Sequence, residues 1–167
     1  MRVKVWQLGK SDVSYSIRLE RDDEDRRFIE SLNPRLTDVI KAPTHTPDDV
    51  RAFQDAFTAT AWQVDDEKSA TFLAVDEAGD RIGYISVREG SDDVLNEPCG
   101  YIALLAIKQE HEGRGIAKSL VKQAETWAKG MGFSRLALDV FTSNDHGLVF
   151  YQRAGFQPET VRVIKRL

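Results

Sequence analysis

Two glycines between an apolar run and an amphipathic stretch constrain this chain more than any other feature. The segment Glu112-Gly113-Arg114-Gly115-Ile116-Ala117 follows the apolar run Tyr101 to Ile107 and opens a stretch of helical periodicity, Ile116 to Lys129. A strand, a glycine loop and a helix in this order form a suitable binding site for an anion. The first amides of a helix have no intrahelical partners, and glycine lets a ligand approach the backbone closely. The pattern predicts an α/β unit that binds a phosphorylated partner.

Length and composition predict one globular domain spanning residues 1–167, with 41% hydrophobic and 30% charged residues. A net charge of −4 disfavours non-specific nucleic-acid binding, which needs a basic surface. The N-terminus lacks the apolar core of a signal peptide, and no apolar run is long enough to cross a bilayer. The single cysteine, Cys99, cannot form an internal disulfide. We therefore expect a cytoplasmic protein with no membrane partner, no nucleic-acid partner and no metal site.

Acidic residues occur in four clusters: Asp22–Asp25, Asp48–Asp49, Asp65–Glu67 and Asp92–Asp93. Solvated loops and helix N-termini explain such clusters most simply, because a carboxylate near a helix N-terminus is stabilised by the helix dipole. Attraction of a cationic substrate is the alternative explanation.

Hydrophobic periodicity predicts a mixed order of strands and helices. Strands are predicted at Val3–Leu8, Val13–Leu19, Ala70–Val75, Arg81–Glu89, Tyr101–Ile107, Phe133–Phe141 and, as a strand pair or one bent strand, Phe156–Leu167. Helices are predicted at Asp22–Leu36 with a kink or end at Asn33-Pro34, from Pro47 to about Trp62 with Thr46 as N-cap, at Ile116–Lys129 and at Asn144–Ala154, and Gly90–Pro98 is predicted to be a polar loop. This order indicates an α/β domain whose mixed sheet has a parallel strand pair around the long helix.

Two common phosphate-binding folds fit the glycine loop poorly. A Walker loop needs Lys followed by Ser or Thr after its last glycine, whereas Ile116 and Ala117 stand there. A dinucleotide-binding loop needs a third small residue near the position of Lys118, and Asp139 fits the expected ribose-binding acid poorly in its spacing. Neither fold is favoured.

Two motifs together resemble the GCN5-related N-acetyltransferase superfamily. Ile107 to Leu120 resembles that family's motif A, and Asn144 to Phe156 resembles its motif B, with Asn144, Tyr151 seven residues later and then Gly155-Phe156. The resemblance covers roughly residues 70 to 167, and Glu112 stands where the family usually has Gln or Arg. It implies a mixed, mostly antiparallel sheet with a splayed parallel strand pair, flanked by helices on both faces.

The resemblance further implies acetyl transfer from acetyl-CoA, as cosubstrate, to a primary amine of a small molecule or peptide. A non-catalytic acetyl-CoA-binding regulatory module is the alternative, and homodimerisation stays open. The implied cofactor contacts are the loop amides of Gly113, Gly115, Ile116 and Ala117, the charges of Arg114 and Lys118, the backbone of Leu105 and Ile107, and the side chains of Asn144 and Tyr151. We expect Glu112 to face solvent, because an acid beside a pyrophosphate is unfavourable.

Tyr151 is the implied catalytic residue, since a phenol near the sulfur can give a proton to the departing thiolate. A core aromatic is the alternative for Tyr151, and a helix N-cap is the alternative for Asn144. The general base stays open between Glu97, an acid on the N-terminal helices and water, because Tyr101 stands where some relatives carry Glu. The histidines, His45, His111 and His146, are expected to be solvent-exposed. Core packing is expected for Phe53, Phe57 and Trp62, with an acceptor pocket as the alternative.

Overall fold

The computed structural model describes residues 14–60 and 66–167. Five strands form one sheet in the order β1-β2-β3-β4-β5. The strands are β1 (Tyr15–Leu19), β2 (Ser69–Asp76), β3 (Arg81–Asp92), β4 (Glu97–Ile107) and β5 (Leu136–Ala137). The first four pair antiparallel and β4 pairs parallel with β5, so the predicted mixed sheet with a parallel pair is confirmed.

Helices cover both faces of this sheet. They are α1 (Asp23–Ser31), α2 (Asn33–Asp38), α3 (Pro47–Thr60), α4 (Ile116–Gly130) and α5 (Asp145–Arg153). On one face, called the α4 face, Leu120 and Ala124 pack against Ile85 and Val87 of β3. On the other, called the α1 face, Phe28 and Ile29 of α1 pack with β2 and β3. None of the helices in residues 14–60 and 66–167 is long and apolar enough to cross a membrane.

Local signals correctly predicted the N-terminal helices. The predicted helix Asp22–Leu36 is two helices, and Pro34 stands in the first turn of the second, as its missing backbone donor requires. Thr46 caps α3: its hydroxyl accepts from the Asp49 amide at 3.2 Å, and its own amide donates to the Asp49 carboxylate at 2.8 Å. The predicted strand Val3–Leu8 and the helix end near Trp62 lie outside the described residues.

Three predicted segments differ from the structure. Gly90–Pro98 is not a loop, because β3 and β4 continue through it as a hairpin that pairs Asp92 with Glu97. Periodicity missed this hairpin because most of its side chains are exposed and polar, whereas the backbone ladder needs no apolar residues. Of Phe133–Phe141, only Leu136–Ala137 is a strand, since pairing with β4 ends there. Phe156–Leu167 contains no strand, and its alternating Val161 and Val163 are 68% and 89% exposed.

A buried charge cluster fixes α1 to the sheet. Asp25 of α1 is fully buried and receives two hydrogen bonds from the Arg18 guanidinium of β1, at 2.6 and 2.8 Å. Arg81 of β3 donates to the same carboxylate at 2.5 Å, and the Arg21 amide donates at 2.9 Å. Both oxygens of this carboxylate therefore accept hydrogen bonds, and two guanidinium groups balance its charge.

Tyr84 of β3 carries a hydroxyl that is buried in the core of the α1 face. Its side chain is fully buried on the α1 face, and its hydroxyl has no hydrogen-bond partner among residues 14–60 and 66–167. Burial raises the pKa of this phenol, so the group stays neutral. An unsatisfied buried polar group costs about 1–3 kcal/mol.

Replacing Tyr84 by Phe is therefore expected to raise the free energy of unfolding by about 1 kcal/mol, measured by urea denaturation. The matched control is Tyr15→Phe, which removes a hydroxyl that contacts Ser119 Oγ at 2.7 Å. That control is expected to lose about 1 kcal/mol. A loss of stability in Tyr84→Phe would show that its hydroxyl is satisfied.

Candidate functional site

The glycine loop joins β4 to α4, as predicted. Gly113 and Gly115 have φ values of 72° and 79°, the left-handed region in which side chains are strained. A Cβ atom at either glycine would meet nothing within 4 Å, so the glycines serve the backbone conformation and leave its surface open. Gly115 is the N-cap of α4 and provides no side-chain cap to the first amides. These amides are available to an anion at the positive end of the helix dipole.

The charged residues of the loop divide into two groups. Arg114 and Lys118 are exposed beside the start of α4. Glu112 forms an ion pair with Arg35 of α2, which also donates to Gln109 at 3.2 Å. The expectation that Glu112 faces solvent is met in part, since its side chain is 49% exposed. Arg35 offsets its negative charge, so the departure from the usual Gln or Arg is electrostatically balanced.

The strands β4 and β5 separate after Tyr101, along the part of β4 that leads to the glycine loop. Their pairing is confined to Gly100 with Leu136 and Tyr101 with Ala137. A bulge adds Ala103 to β4, because Leu104 pairs with Ser86 while Ile102 pairs with Val87. The residues of β4 beyond Tyr101 therefore have no strand partner on the β5 side within the described residues. No sequence signal marked this bulge.

Leu105 and Ile107 lie in the separated part of β4. Ile107 is buried in the core of the α4 face, and Leu105 is partly buried against it. Their side chains are thus committed to packing, and only their backbone groups are available to a ligand between β4 and β5. This placement is consistent with the predicted backbone contacts of Leu105 and Ile107 with the cofactor. These contacts stay predictions.

Asn144 is the N-cap of α5, the role that the sequence suggests as the alternative to a cofactor contact. Its Oδ1 accepts from the Gly147 amide at 2.8 Å. Gly147 permits this, because a Cβ there would lie 2.5 Å from Asn144 Nδ2. The Nδ2 group makes no hydrogen bond within the described residues, so the predicted contact with a cofactor would have to use that group.

Tyr151 is partly buried on α5. Its ring meets Phe150 and Phe156 edge to face, with centroids 5.1 and 5.7 Å apart. Its hydroxyl makes no hydrogen bond with residues 14–60 and 66–167. Burial raises the pKa of Tyr151 to about 12, so the phenol keeps its proton throughout the physiological pH range.

The candidate base Glu97 is not brought to this site. Glu97 is at the end of β4 away from the glycine loop and lies 3.8 Å from Arg135. His146 and His45 are exposed, as expected, whereas His111 is partly buried and its Nδ1 has no partner in the described part of the chain.

An aromatic cluster on the α1 face was largely missed by sequence reasoning. We define it by its ring and charge contacts as Phe53, Phe57, Phe141, Arg88, Tyr101 and Asp139. Phe53 is 49% exposed and is not the core residue expected from helical spacing. Its ring lies 5.8 Å from that of Phe57 and 6.1 Å from that of Phe141. Trp62 lies outside the described residues.

Comparison with known sequences identifies similar proteins among acetyltransferases. Human N-acetyltransferase 8 is 28% identical over 78% of this chain and 57% of its own length. N-alpha-acetyltransferase 30 of Schizosaccharomyces pombe is 39% identical over 34% of this chain and 38% of its own length. Aminoglycoside N(6')-acetyltransferase type 1 of Acinetobacter haemolyticus is 30% identical over 55% of this chain and 59% of its own length. The chain spans less than two thirds of the length of these relatives.

Solved structures show a similar fold, and a family model matches most of the chain. A putative acetyl transferase from Pyrococcus furiosus superposes with a TM-score of 0.75 at 19% identity, covering 92% of this chain and 99% of that one. AAC(6')-Iy in complex with the bisubstrate analog CoA-S-monomethyl-acetylneamine superposes with a TM-score of 0.63 at 24% identity, covering 92% and 97%. These likenesses show a shared fold. The model of the Acetyltransferase (GNAT) family matches residues 21–156, so the chain belongs to that family.

Proposed function

We propose that this protein transfers the acetyl group of acetyl-CoA to a primary amine of a small molecule or peptide. One observation carries the proposal: an uncapped helix start with two left-handed glycines lies next to a separated parallel strand pair. The helix start is suited to bind a pyrophosphate. The gap between the strands leaves room for the extended arm of acetyl-CoA. The family to which the chain belongs and the names of its relatives support an acetyl donor and a nitrogen acceptor.

The donor half of the site uses mainly backbone groups. The amides of Gly113, Gly115 and the first residues of α4, Ile116 and Ala117, would hold the pyrophosphate. Arg114 and Lys118 add positive charge beside it. Leu105 and Ile107 offer backbone groups to the arm, and the Asn144 amide nitrogen offers a donor from α5.

In the chemical step, the uncharged amine nitrogen attacks the thioester carbon. A carbon–nitrogen bond forms, the carbon–sulfur bond breaks, the nitrogen loses one proton, and the sulfur leaves as a thiolate that takes one up. Tyr151 donates a hydrogen bond to this sulfur, and water supplies the proton that the sulfur takes up. A phenol with a pKa of about 12 holds its proton more tightly than a thiol does, so its main effect is a hydrogen bond to the forming thiolate.

Thiol release in the presence of an amine panel tests the proposal. The full chain is incubated with acetyl-CoA and primary amines, amino acids and peptides, and free thiol and acetylated product are measured. We expect one acetylated product per thiol released, and calorimetric binding of acetyl-CoA but not of ATP or NAD. Tight acetyl-CoA binding with no turnover on any amine would instead indicate a non-catalytic regulatory module. The cytoplasmic location and a homodimer remain predictions.

A further inference from the structure

Arg88 of β3 differs from the other partly buried arginines of the described residues. Four arginines are neither fully exposed nor fully buried: Arg18, Arg35, Arg81 and Arg88. The first three are ion-paired with carboxylates of Asp25 or Glu112. Arg88 forms no ion pair and no side-chain hydrogen bond within residues 14–60 and 66–167. Holding a guanidinium partly out of water without a counter-charge is unfavourable, so this group is suited to receive one from outside.

Two aromatic rings hold Arg88 in place. Its guanidinium carbon lies 5.4 Å from the centroid of Phe57 on α3 and 5.4 Å from that of Tyr101 on β4. Cation–π contacts orient the guanidinium but leave its N–H groups free for an anion. The planar fork of arginine matches a carboxylate with two parallel hydrogen bonds.

A carboxylate accepts a hydrogen bond from the same tyrosine. The Tyr101 hydroxyl donates to Asp139 Oδ2 at 2.9 Å. Asp139 is exposed, and it forms no ion pair with a described residue. It lies two residues beyond Ala137, where β5 has just separated from β4. One anion, and one cation without a counter-charge among the described residues, therefore contact Tyr101 at the point where the strands part.

Apolar rings lie next to this charge pair. Phe53 and Phe141 are 49% and 41% exposed, and they contact each other edge to face. Exposed aromatic rings beside a polar subsite suit an apolar side chain of a ligand.

We infer that the acceptor is a free α-amino acid with an apolar side chain, whose carboxylate binds Arg88 and whose ammonium group binds Asp139. This inference rests on the proposed function and narrows its acceptor class. Phe53 and Phe141 contact the side chain, and Tyr101 positions Asp139. The ammonium loses its proton to water before the amine attacks the thioester.

Steady-state acetylation of matched amines by the full chain tests the inference. The probes are L-phenylalanine and L-leucine, their carboxamides, and phenethylamine, with acetyl-CoA saturating. The wild-type protein is expected to prefer each amino acid to its carboxamide by at least about 10-fold in kcat/KM, because only the acid pairs with Arg88. Arg88→Gln is expected to lower kcat/KM for the amino acids by about 10- to 100-fold, mainly through KM, and to leave the carboxamides unchanged.

Three further variants separate binding from folding. Asp139→Asn should slow acetylation of the amino acid and the carboxamide alike, since both carry the ammonium. Arg88→Lys keeps the charge and should restore part of the preference, and Arg51→Gln, an exposed arginine on α3, should change nothing. Thermal midpoints close to wild type establish that each variant is folded.

Three results overturn the inference in distinguishable ways. Equal rates on acids and carboxamides, or no change in Arg88→Gln, remove the amino-acid assignment and leave acetyl transfer intact. Turnover confined to other amines, such as polyamines, does the same. Absence of thiol release with every amine removes the proposed function and this inference together.

Discussion

Replacing Asp25 by Asn is expected to lower the free energy of unfolding by about 3–5 kcal/mol, the largest stability loss predicted for a single change in this chain. Asp25 is the only carboxylate that pairs with Arg18 within the described residues, and it also pairs with Arg81. The neutral amide leaves the partly buried Arg18 without its counter-charge and removes the shortest ion pair of Arg81, which keeps Asp22 and Glu24 as partners. Urea denaturation measures the loss.

The matched control is Asp48→Asn. Both acids lie in the first turn of a helix and both pair with arginine, so helix-dipole effects largely cancel. Asp48 is 85% exposed, and its loss is expected to cost less than about 1 kcal/mol. Similar losses of unfolding free energy in the two variants would show that burial of the Asp25 cluster contributes little to stability.

The Asp25 effect is also expected to depend on pH. Hydrogen bonds from the Arg18 guanidinium, and then from Arg81, hold the pKa of this carboxyl well below its usual range. A group whose pKa is lowered by folding stabilises the native state above its unfolded pKa, about 4, and this contribution is lost as pH falls further. The stability difference between wild type and Asp25→Asn should therefore be full at neutral pH and shrink below about pH 4.

Replacing Tyr151 by Phe is expected to reduce kcat by about 100-fold while leaving the affinity for acetyl-CoA unchanged. The change removes only the hydroxyl that we propose to stabilise the departing thiolate, and the ring keeps its contacts with Phe150 and Phe156. A pKa of about 12 is far from the operating pH, which places the expected effect at the low end of the range for general acids. Steady-state kinetics on an amine that the wild type acetylates, with calorimetry for acetyl-CoA, measure both quantities.

Tyr84→Phe is the control for this substitution. It removes a buried phenol hydroxyl that likewise has no described partner, but from the core of the α1 face. Its kcat should match wild type. A Tyr151→Phe protein with unchanged kcat would mean that Tyr151 is a packing residue only.

The parts of the fold that sequence reasoning predicted correctly depend on neighbouring residues. The caps of α3 and α5 use Thr46 with Asp49 and Asn144 with Gly147, each three residues apart. The amphipathic spacing of α4 and the hairpin of β2 and β3 are equally local. The family resemblance rested on such short motifs, and the match over residues 21–156 confirms it.

The sequence-based errors concern segments whose state depends on a partner strand. Val161 and Val163 alternate as strand residues do, yet nothing in the described structure pairs with them. Gly90–Pro98 looks like a loop, yet β3 and β4 pair along it. Strand formation requires a partner at the right distance, and periodicity alone cannot supply that information.

By itself, the amino-acid sequence determined the glycine loop, the helix that follows it and the spacing of Asn144 and Tyr151. Backbone conformation at Gly113 and Gly115 and capping at helix ends are set by residues within one turn of each other. Only the tertiary structure decided the bulge at Ala103 and the separation of β4 from β5. It also brought Arg88, Tyr101 and Asp139 together from three segments, because long-range packing of the sheet against α1 and α3 determines which distant side chains meet.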